Sequence, residues 1–380
     1  MRHADQVALA LRALRHIDEG TSERGAPSRS PRARYLDPAR FERERACIVR
    51  EHPVAVAPAA MLAQPGETLA LDVAGLPLLL TRDADGTLNA FVNACRHRGA
   101  RLADPGASVR RAVVCPYHSW TYGLDGALRG RPHEADFPHA PASECALARV
   151  PVAQALGLVW VVPRPVRPGE APLDITTRLG RFADDLRGFG YDGWVPFFER
   201  RFECAANWKL PFEGNLETYH FQYAHRTTIA ELFFDNLTIA DHDGPHHRLF
   251  LPKRSIVRLR EQPRASWDLS RHANIIYCFF PCTFVLHEGD HANLFTVLPE
   301  AVDRCTVIGV TLVPEPPATE KAERHWRRNV ESFWGALDED FALAASIQST
   351  LASGAQDDLL LGASEWCAAR FHEDVERRLD

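Results

Sequence analysis

The sequence predicts an α+β protein in which a small all-β domain precedes a larger domain of strands and helices. Two stretches of the 380-residue chain support this division. Residues 54–162 contain short apolar runs split by Gly, Pro and Asp, a pattern typical of β-strands and turns. Residues 275–313 have a pattern typical of β-strands, and one long helical pattern extends from about residue 320 to residue 351.

Three segments follow from these patterns. Residues 1–44 are rich in Arg and Ala and are expected to form an N-terminal helical arm. The β-rich domain is placed at residues 45–164 and the second domain at 165–380. Four prolines in residues 163–172 mark the linker, because proline interrupts both helix and sheet. Within the second domain, helices are expected at 174–186, 211–233 and 320–351.

Composition excludes several classes of protein. A formal net charge of -6 gives no overall basic surface for nucleic acid. No apolar run approaches the roughly 18 residues that a membrane span requires. Nine cysteines, an odd number spread along a large chain, do not resemble a disulfide framework. We therefore expect a cytoplasmic protein whose cysteines are free thiols or metal ligands.

Cys and His occur together twice in the β-rich region. Cys95 and His97 lie in "CRHRGARL", and Cys115 and His118 lie in "CPYHSWTYGLDG". Zinc fingers usually pair Cys with Cys and His with His, whereas each motif here offers one ligand of each kind. A two-iron cluster that has two Cys on one iron and two His on the other needs this mixture. The spacing therefore predicts a Rieske [2Fe-2S] centre, with structural zinc and unrelated buried residues as the alternatives.

These two motifs resemble the ligand loops of Rieske non-haem iron oxygenases. One departure is Ser119, which stands where many members of that family have Gly. Rieske clusters also serve proteins that only carry electrons. The motif pair alone therefore leaves open whether the chain is an oxygenase or an electron carrier.

A second group of metal-binding side chains lies in "NWKLPFEGNLETYHFQYAH", residues 207–225. Glu217, His220 and His225 have the spacing E-x2-H-x4-H. On an ideal helix Glu217 and His220 lie about 60° apart, but His220 and His225 lie about 140° apart, so a loosened turn must aim both histidines at one ion. Two His and one carboxylate leave open positions on Fe(II). An ordinary pair of core or surface histidines is the alternative.

The same segment resembles the mononuclear iron motif of the Rieske oxygenase family. The resemblance implies that His220 and His225 bind Fe(II). It implies that Glu217 links the two metal sites between neighbouring subunits, and that Asn207 helps to gate the site. It also implies an acidic third ligand on the long C-terminal helix.

Asp338, Glu339 and Asp340 are the candidates for that third ligand. The apolar stripe of the helix passes through Leu337, and at 100° per residue Asp340 lies about 60° from it, whereas Asp338 lies about 100° away and Glu339 on the far side. The family pattern, an acidic pair followed eight residues later by Gln348, favours the same residue. Asp340 is therefore predicted to be the ligand, and a solvated run of charges is the alternative.

The resemblance covers nearly the whole chain. It implies a Rieske domain followed by a catalytic helix-grip (START-like) domain, in which an antiparallel sheet surrounds a long C-terminal helix. It implies a terminal oxygenase that uses O2 and electrons originating from NAD(P)H to hydroxylate or oxidatively demethylate a small aromatic, heterocyclic or amine substrate. A flavin-containing reductase or ferredoxin would deliver the electrons, and a head-to-tail homotrimer is expected. A Rieske electron-transfer protein and a ring-dihydroxylating dioxygenase are the alternatives.

Two further predictions concern the second domain. The segment "HEGDH", residues 287–291, matches a zinc protease signature that requires a helix. The residues on both sides have a pattern typical of β-strands, which predicts an exposed hairpin turn instead. His287 or His291 remains a candidate for lining a pocket. Pocket or core positions are expected for five aromatic residues, namely Phe212, Phe221, Tyr277, Phe279 and Phe284.

Overall fold

A computed structural model describes all residues, 1–380, and the chain folds into two compact units. The smaller unit contains residues 49–178. The larger unit combines residues 1–48 with residues 179–380. None of the helices has both the length and the apolar character that crossing a bilayer requires.

The N-terminal arm contributes three helices and one strand to the larger unit, namely α1 (His3–Glu19), β1 (Ser28–Pro31), α2 (Ala33–Leu36) and α3 (Pro38–Glu44). The start of α3 follows from its sequence, because Pro38 occupies the first turn and the Asp37 side chain accepts a hydrogen bond from the amide of Ala39. Arg12 of α1 forms a 2.8 Å ion pair with Asp241. The arm is thus held by charge as well as by the buried ring of Tyr35.

The smaller unit is almost entirely β-structure, as the sequence predicts. Its strands form three antiparallel sheets, ordered β10-β11-β2, β5-β4-β3-β6 and β7-β8-β9. A short helix, α4 (Ile175–Leu179), follows the last strand. The strands are β2 (Val54–Pro58), β3 (Glu67–Val73), β4 (Leu76–Arg82), β5 (Leu88–Val92), β6 (Gly106–Val109), β7 (Ala112–Val114), β8 (Thr121–Gly123), β9 (Leu128–Gly130), β10 (Val152–Ala155) and β11 (Leu158–Val161).

The larger unit is built on a seven-stranded antiparallel sheet in the order β12-β18-β17-β16-β15-β14-β13. Adjacent strands are joined mostly by short connections, so the chain turns back repeatedly from β13 to β18. A separate two-stranded sheet pairs β1 with β19. The elements are α5 (Phe182–Phe189), β12 (Val195–Cys204), α6 (Lys209–Gly214), α7 (Phe221–Ala224), β13 (Ile239–Asp243), β14 (His246–Pro252), β15 (Ala273–Phe279), β16 (Thr283–His287), β17 (Ala292–Ala301), β18 (Arg304–Val313), α8 (Glu320–Ala352), β19 (Asp358–Leu361) and α9 (Trp366–Leu379).

The long helix α8 packs against this sheet. Thr319 caps its start, where the hydroxyl oxygen accepts a hydrogen bond from the amide of Ala322. The ring of Phe341 lies 4.9 Å from that of Phe202 on β12. Gly309 on β18 leaves room for the buried indole of Trp334. The predicted combination of an antiparallel sheet and a long helix is confirmed.

Two of the predicted helices are wrong in detail. The expected helix at 174–186 is divided between α4 and α5. The expected helix at 211–233 is interrupted after Gly214 and resumes only for the single turn of α7. The spacing of His220 and His225 predicts a loosened turn within this segment, but it gives no sign of the break after Gly214.

Candidate metal centres and substrate cavity

Two loops of the smaller unit carry the Cys and His motifs, one between β5 and β6 and the other between β7 and β8. In each loop the carbonyl of the Cys accepts a hydrogen bond from a residue four positions later. The amide of Gly99 donates to Cys95, and that of Ser119 donates to Cys115, both at 2.9 Å. Gly99 and Ser119 have φ of +76° and +58°, the left-handed region that glycine enters freely. The same turn therefore holds both cysteines.

The structure brings the four predicted Rieske residues together. Cys95 and Cys115 are both buried, and their thiols are close enough to interact. Burial raises the pKa of the Cys95 thiol. His97 is half-buried and His118 is exposed, with ring centroids 4.7 Å apart. The thiols therefore form the inner side of the site and the imidazoles form its solvent side.

Aromatic side chains support this arrangement. The hydroxyl of Tyr122 accepts a hydrogen bond from the amide of Arg96 at 3.0 Å and lies 3.3 Å from Sγ of Cys95, to which it is able to donate. The ring of Trp120 stacks on His97 with the planes 4° apart. These contacts fix one sulfur ligand and one imidazole ligand.

A [2Fe-2S] cluster fits these four residues. Two neighbouring sulfur atoms and two neighbouring imidazoles are the donor set of a Rieske cluster, in which each iron takes one pair. A single zinc ion bound by two Cys and two His would not require the cysteines to lie on one side of the site and the histidines on the other.

The second candidate site lies in the larger unit, around α7. His220 directly precedes this four-residue helix and His225 directly follows it, so the two rings are carried by the ends of one short turn. The turn ends at His225, whose φ of -100° and ψ of 32° lie outside the helical region, and this end provides the loosened backbone that their spacing requires. Asp340 approaches from α8, with its Oδ1 atom 3.2 Å from Nε2 of His225 and 3.6 Å from Nε2 of His220.

Two further carboxylates orient the two imidazoles. Glu217 hydrogen-bonds Nδ1 of His220, and its carboxylate also accepts a hydrogen bond from the backbone amide of that residue at 3.2 Å. Glu339 lies 2.8 Å from Nδ1 of His225. Each imidazole thus has its Nδ1 engaged and its Nε2 directed at Asp340. This geometry corrects the expectation that Glu339 lies on the far side of α8.

The charges of these carboxylates dominate the electrostatics of the site. Burial alone would lower the pKa of His220, but the hydrogen bond with Glu217 and the charge of Asp340 raise it. The pKa of His225 is likewise lowered by burial and raised by Asp340 and Glu339, with a net increase. The site is therefore rich in negative charge and favours a bound cation.

A divalent iron fits this second site. One ligand atom from each of His220, His225 and Asp340 lies within 4.8 Å of the other two. Two imidazole nitrogens and one carboxylate oxygen, converging from one side, form the facial set that holds non-haem Fe(II). The Nδ1 contacts of both histidines are those that metal-bound imidazoles usually make.

A cavity of about 670 Å³ opens beside these three residues. Near α7 the cavity is lined by Phe221, His220, His225 and Asp340. Residues on one face of α8 form another part of its wall. A volume of this size is typical of sites for small organic molecules.

Several predicted residues lie elsewhere. Asn207 does not line the cavity, which is a correction to its expected gating role. Its side-chain amide donates hydrogen bonds to the carbonyls of Val302 and Tyr35, and its backbone N–H donates to the side-chain oxygen of Gln348. Its position is that of a residue that holds the fold together. The aromatic candidates are divided, since Phe221 lines the cavity whereas the other four are fully buried core residues, namely Phe212, Tyr277, Phe279 and Phe284.

The segment 287–291 does form the predicted turn between two strands, but its histidines are not exposed. His287 is buried, hydrogen-bonds Tyr191 at 3.0 Å and stacks on Phe189. His291 is also buried and lines the cavity together with Glu288 and Asp290. The pocket-lining position that the sequence offered as the second interpretation therefore holds for His291, whereas the expected exposure does not.

Two family models match the chain. Residues 52–149 match the Rieske [2Fe-2S] domain. Residues 191–380 match the catalytic domain of the ring-hydroxylating alpha subunit. Together they include all seven side chains assigned above to the two candidate metal centres.

Curated relatives include a carnitine monooxygenase subunit and a choline monooxygenase. The chain is 30% identical over 333 residues to the carnitine monooxygenase oxygenase subunit of Acinetobacter pittii, covering 85% of each protein. It is 35% identical over 160 residues to the chloroplastic choline monooxygenase of Beta vulgaris, covering 41% of this chain and 35% of that protein. The chain spans about half the length, or less, of several such relatives.

Among solved structures, a quaternary ammonium Rieske monooxygenase shares the fold with a TM-score of 0.80. The match covers 93% of this chain and 96% of that one at 21% identity. The two family matches and the full-length relative lead to one conclusion. The chain belongs to the family of ring-hydroxylating α subunits that carry a Rieske [2Fe-2S] domain.

Proposed function

We propose that the chain is the terminal oxygenase component of a multicomponent enzyme that hydroxylates or oxidatively demethylates a small organic substrate. One observation carries this proposal. The chain has two separate donor sets, one suited to a [2Fe-2S] cluster and one suited to Fe(II), and the second faces a cavity of about 670 Å³. A protein that only carried electrons would need the first set and neither the second set nor the cavity.

In this proposal Cys95, His97, Cys115 and His118 hold the cluster, with residues 45–164 as the Rieske domain. The cluster supplies electrons, and its imidazole ligands raise its reduction potential above that of all-cysteine clusters. The exposure of His118 favours the approach of a redox partner from solvent. We propose that this partner is a flavin-containing reductase or a ferredoxin, and that NAD(P)H is oxidised at the reductase.

The catalytic domain is placed at residues 165–380, with residues 1–44 as an arm. His220, His225 and Asp340 would hold Fe(II), which would supply the activation of O2 beside the substrate. Glu217 and Glu339 keep the two imidazoles in the tautomer that presents Nε2. Apolar side chains of the cavity hold the substrate and exclude water. Glu217 is also assigned the role of linking to a neighbouring subunit.

The overall reaction consumes one O2, two electrons and two protons, places one oxygen atom in a C–H bond and releases the other as water. When the oxidised carbon is a methyl group on nitrogen, the resulting N–CH2OH group loses formaldehyde and leaves the demethylated amine. Relatives named for carnitine and choline make methylated amines the first substrate class to test. Aromatic and heterocyclic compounds come second.

We further propose a cytoplasmic head-to-tail homotrimer. Nine free cysteines favour a reducing compartment. The trimer rests on the family resemblance, in which the cluster of one subunit serves the iron of its neighbour.

Metal analysis tests the proposal directly. Anaerobically purified protein supplied with Fe(II) should contain about three irons and two acid-labile sulfides per chain. His220→Ala should contain about two irons and two sulfides. The matched control, His3→Ala, changes an exposed histidine and should keep all three irons.

Oxygen consumption completes the test. Wild-type protein with a reductase and NADH should consume O2 faster when a substrate is added, and His220→Ala should not. Two irons in every variant, with no substrate-dependent O2 uptake, would leave only an electron carrier.

A further inference from the structure

The cavity has two chemically different ends. Near the metal-binding residues its walls are apolar and include Phe221, Phe233, Leu286 and Leu337. Away from that site, the lining includes Lys253, Asn274, Glu288, Asp290 and His291, all of which are polar or charged. A ligand that fills this cavity therefore meets an apolar wall at one end and polar groups at the other.

The helix α8 gives the separation between the two ends. Asp340, at the metal-binding end, and Asn329 both line the cavity and lie eleven residues apart on this helix. A rise of 1.5 Å per residue separates them by about 16 Å. His325, one turn beyond Asn329, lies 3.1 Å from Asp290. The polar end is thus at the level of Asn329 and His325.

The sheet explains why the change is abrupt. Leu251 pairs with Asn274 across β14 and β15, and the Asn274 amide donates to Glu288 at 2.9 Å just beyond the end of β16. One residue pair further in, Ile276 faces Leu286. Apolar and polar side chains therefore occupy successive rows on the inward face of one sheet.

Most charged groups at the polar end already have partners. Glu288 accepts hydrogen bonds from the amides of Asn274 and Asn293 at 2.9 and 2.8 Å, and its Oε1 atom lies 3.3 Å from Nε2 of His291. Nδ1 of His291 lies 2.8 Å from Asp290, which also contacts His325. The two carboxylates are thus satisfied by protein groups and are not free to bind a cationic ligand.

Among the charged groups here that are not exposed, Lys253 is the exception. It follows β14, lies partly buried and lines the cavity, and its ammonium has no hydrogen-bond or ion-pair partner in the structure. Burial lowers the pKa of Lys253, while the charges of Glu288 and Asp290 oppose this effect from a distance. A partly buried cation without a partner is costly, unless a ligand supplies the missing anion.

A second group at this end is also unpaired. Asn274 is buried, and its side-chain oxygen has no hydrogen-bond donor. Buried amide oxygens are nearly always paired, so this acceptor marks a place for a donor supplied by a ligand. The two unpaired groups lie on the same inward face of neighbouring strands.

We propose that Lys253 binds a carboxylate of the substrate, so that the preferred substrates are small organic acids held with the carboxylate at the polar end and the oxidised carbon at the iron end. This inference rests on the proposed function for the identity of the bound molecule as a substrate. A hydroxyl or N–H group near the carboxylate would pair with Asn274. Neutral compounds and simple cations lack the group that Lys253 requires.

Binding to the full holoprotein, loaded with cluster and Fe(II) and kept anaerobic, tests this assignment by isothermal titration calorimetry. The probes are L-carnitine, 6-phenylhexanoate and benzoate, each beside its primary amide, which has the same shape without the charge. At least one carboxylate should bind the wild type about 10- to 100-fold more tightly than its amide, the range expected for a charged hydrogen bond. Lys253→Met should abolish that preference and leave amide binding unchanged.

Two controls sharpen the test. Lys253→Arg keeps the positive charge and should keep most of the preference. Arg271→Met removes a cation that is exposed at the cavity rim and should change carboxylate binding by less than about threefold. Thermal unfolding of Lys253→Met should show no loss of stability, because the ammonium has no partner to lose.

The possible outcomes separate this inference from the proposed function. Equal binding of acids and amides by the wild type, no binding of any acid, or an undiminished preference in Lys253→Met overturns the inference. Substrate-dependent O2 uptake with a neutral compound would leave the oxygenase assignment intact in those cases. A Lys253-dependent preference without O2 uptake would support the binding site and count against the oxygenase.

Discussion

Nδ1 of His225 lies 2.8 Å from the carboxylate of Glu339, the residue directly before Asp340 on α8. Asp340 lies 3.2 Å from the other nitrogen of the same ring. Two consecutive residues of one helix therefore address the two nitrogens of one imidazole. Thr228 donates to the Glu339 carboxylate at 2.8 Å and Thr227 at 3.3 Å, which fixes that carboxylate in turn.

Removing this carboxylate should weaken iron binding. Glu339→Ala frees the His225 ring to rotate, and we expect the affinity for Fe(II) to fall about 10- to 100-fold while the cluster content stays unchanged. Glu339→Gln keeps an acceptor for the ring N–H and should recover most of the affinity. Competition between the protein and a chelator of known affinity measures the change.

The neighbouring residue provides the control for this prediction. Asp338 is exposed on the same helix and pairs with Arg200 at 2.8 Å, so Asp338→Asn should leave iron affinity unchanged. Equal losses in Asp338→Asn and Glu339→Ala would show that the general charge of α8, and not the contact with His225, controls the iron.

Tyr122 should tune the Rieske cluster. Its hydroxyl accepts from the amide of Arg96 and lies 3.3 Å from Sγ of Cys95, so its own proton is directed at the sulfur. Such a bond favours the reduced, more negative cluster. Tyr122→Phe should therefore lower the reduction potential, by on the order of 50 mV if the bond contributes about 1 kcal/mol. A spectroelectrochemical titration beside Tyr117→Phe, whose ring is exposed, decides whether the effect is specific.

Local spacing was sufficient to predict that each Cys lies beside its His in the Rieske motifs, because each Cys and His pair lies within four residues and a tight turn must bring it together. Cys95 and Cys115 each begin the same five-residue turn, so the repeat in the sequence is a repeat in geometry. The β-rich character of residues 54–162 and the length of α8 could likewise be expected from strand and turn patterns and from helical period.

Contacts between distant segments could not be predicted in this way. Helical angles placed Glu339 on the far side of α8, but the chain after His225 passes over that side and brings Thr227 and Thr228 to it. His291 was expected in an exposed turn, although the turn folds back onto the cavity. In both cases the position of the residue depends on a second segment more than thirty residues away in the sequence.

The close approach of α8 to the sheet should be sensitive to one glycine. A Cβ atom at Gly309 would lie 2.1 Å from the indole of Trp334, so Gly309→Ala must displace the helix or the ring. We expect a loss of about 1–3 kcal/mol in the free energy of unfolding, as for other overpacked cores. Denaturant unfolding measures this loss.

Gly335, on α8 itself, is the matched control. A Cβ atom there would meet only Thr228, at 3.9 Å, so Gly335→Ala should be tolerated and should stabilise the helix by about 0.5–1 kcal/mol. Similar losses in both variants would mean that the space around Trp334 does not limit the packing.

His291 should make stability depend on pH. Burial alone would lower its pKa, but Asp290 and Glu288 raise the pKa of His291 from 6.5 to about 9. Because the folded value exceeds the unfolded one, this stabilisation is complete below about pH 6.5 and is lost as the pH rises through 9. The difference corresponds to about 3 kcal/mol. Lys253 and His325, the other charged or titratable groups near these carboxylates, are the same in the wild type and in His291→Gln.

Comparison with His291→Gln isolates this contribution. The variant leaves two carboxylates without their cation, so it should unfold more easily than the wild type at about pH 6, and the two stabilities should converge by about pH 10. Urea unfolding at intervals across this range gives the difference at each pH. His325→Gln, which changes a half-exposed contact to Asp290, should cost less than about 1 kcal/mol of stability. A constant difference between wild type and His291→Gln at all pH values would mean that His291 is neutral in the folded protein and acts only through packing.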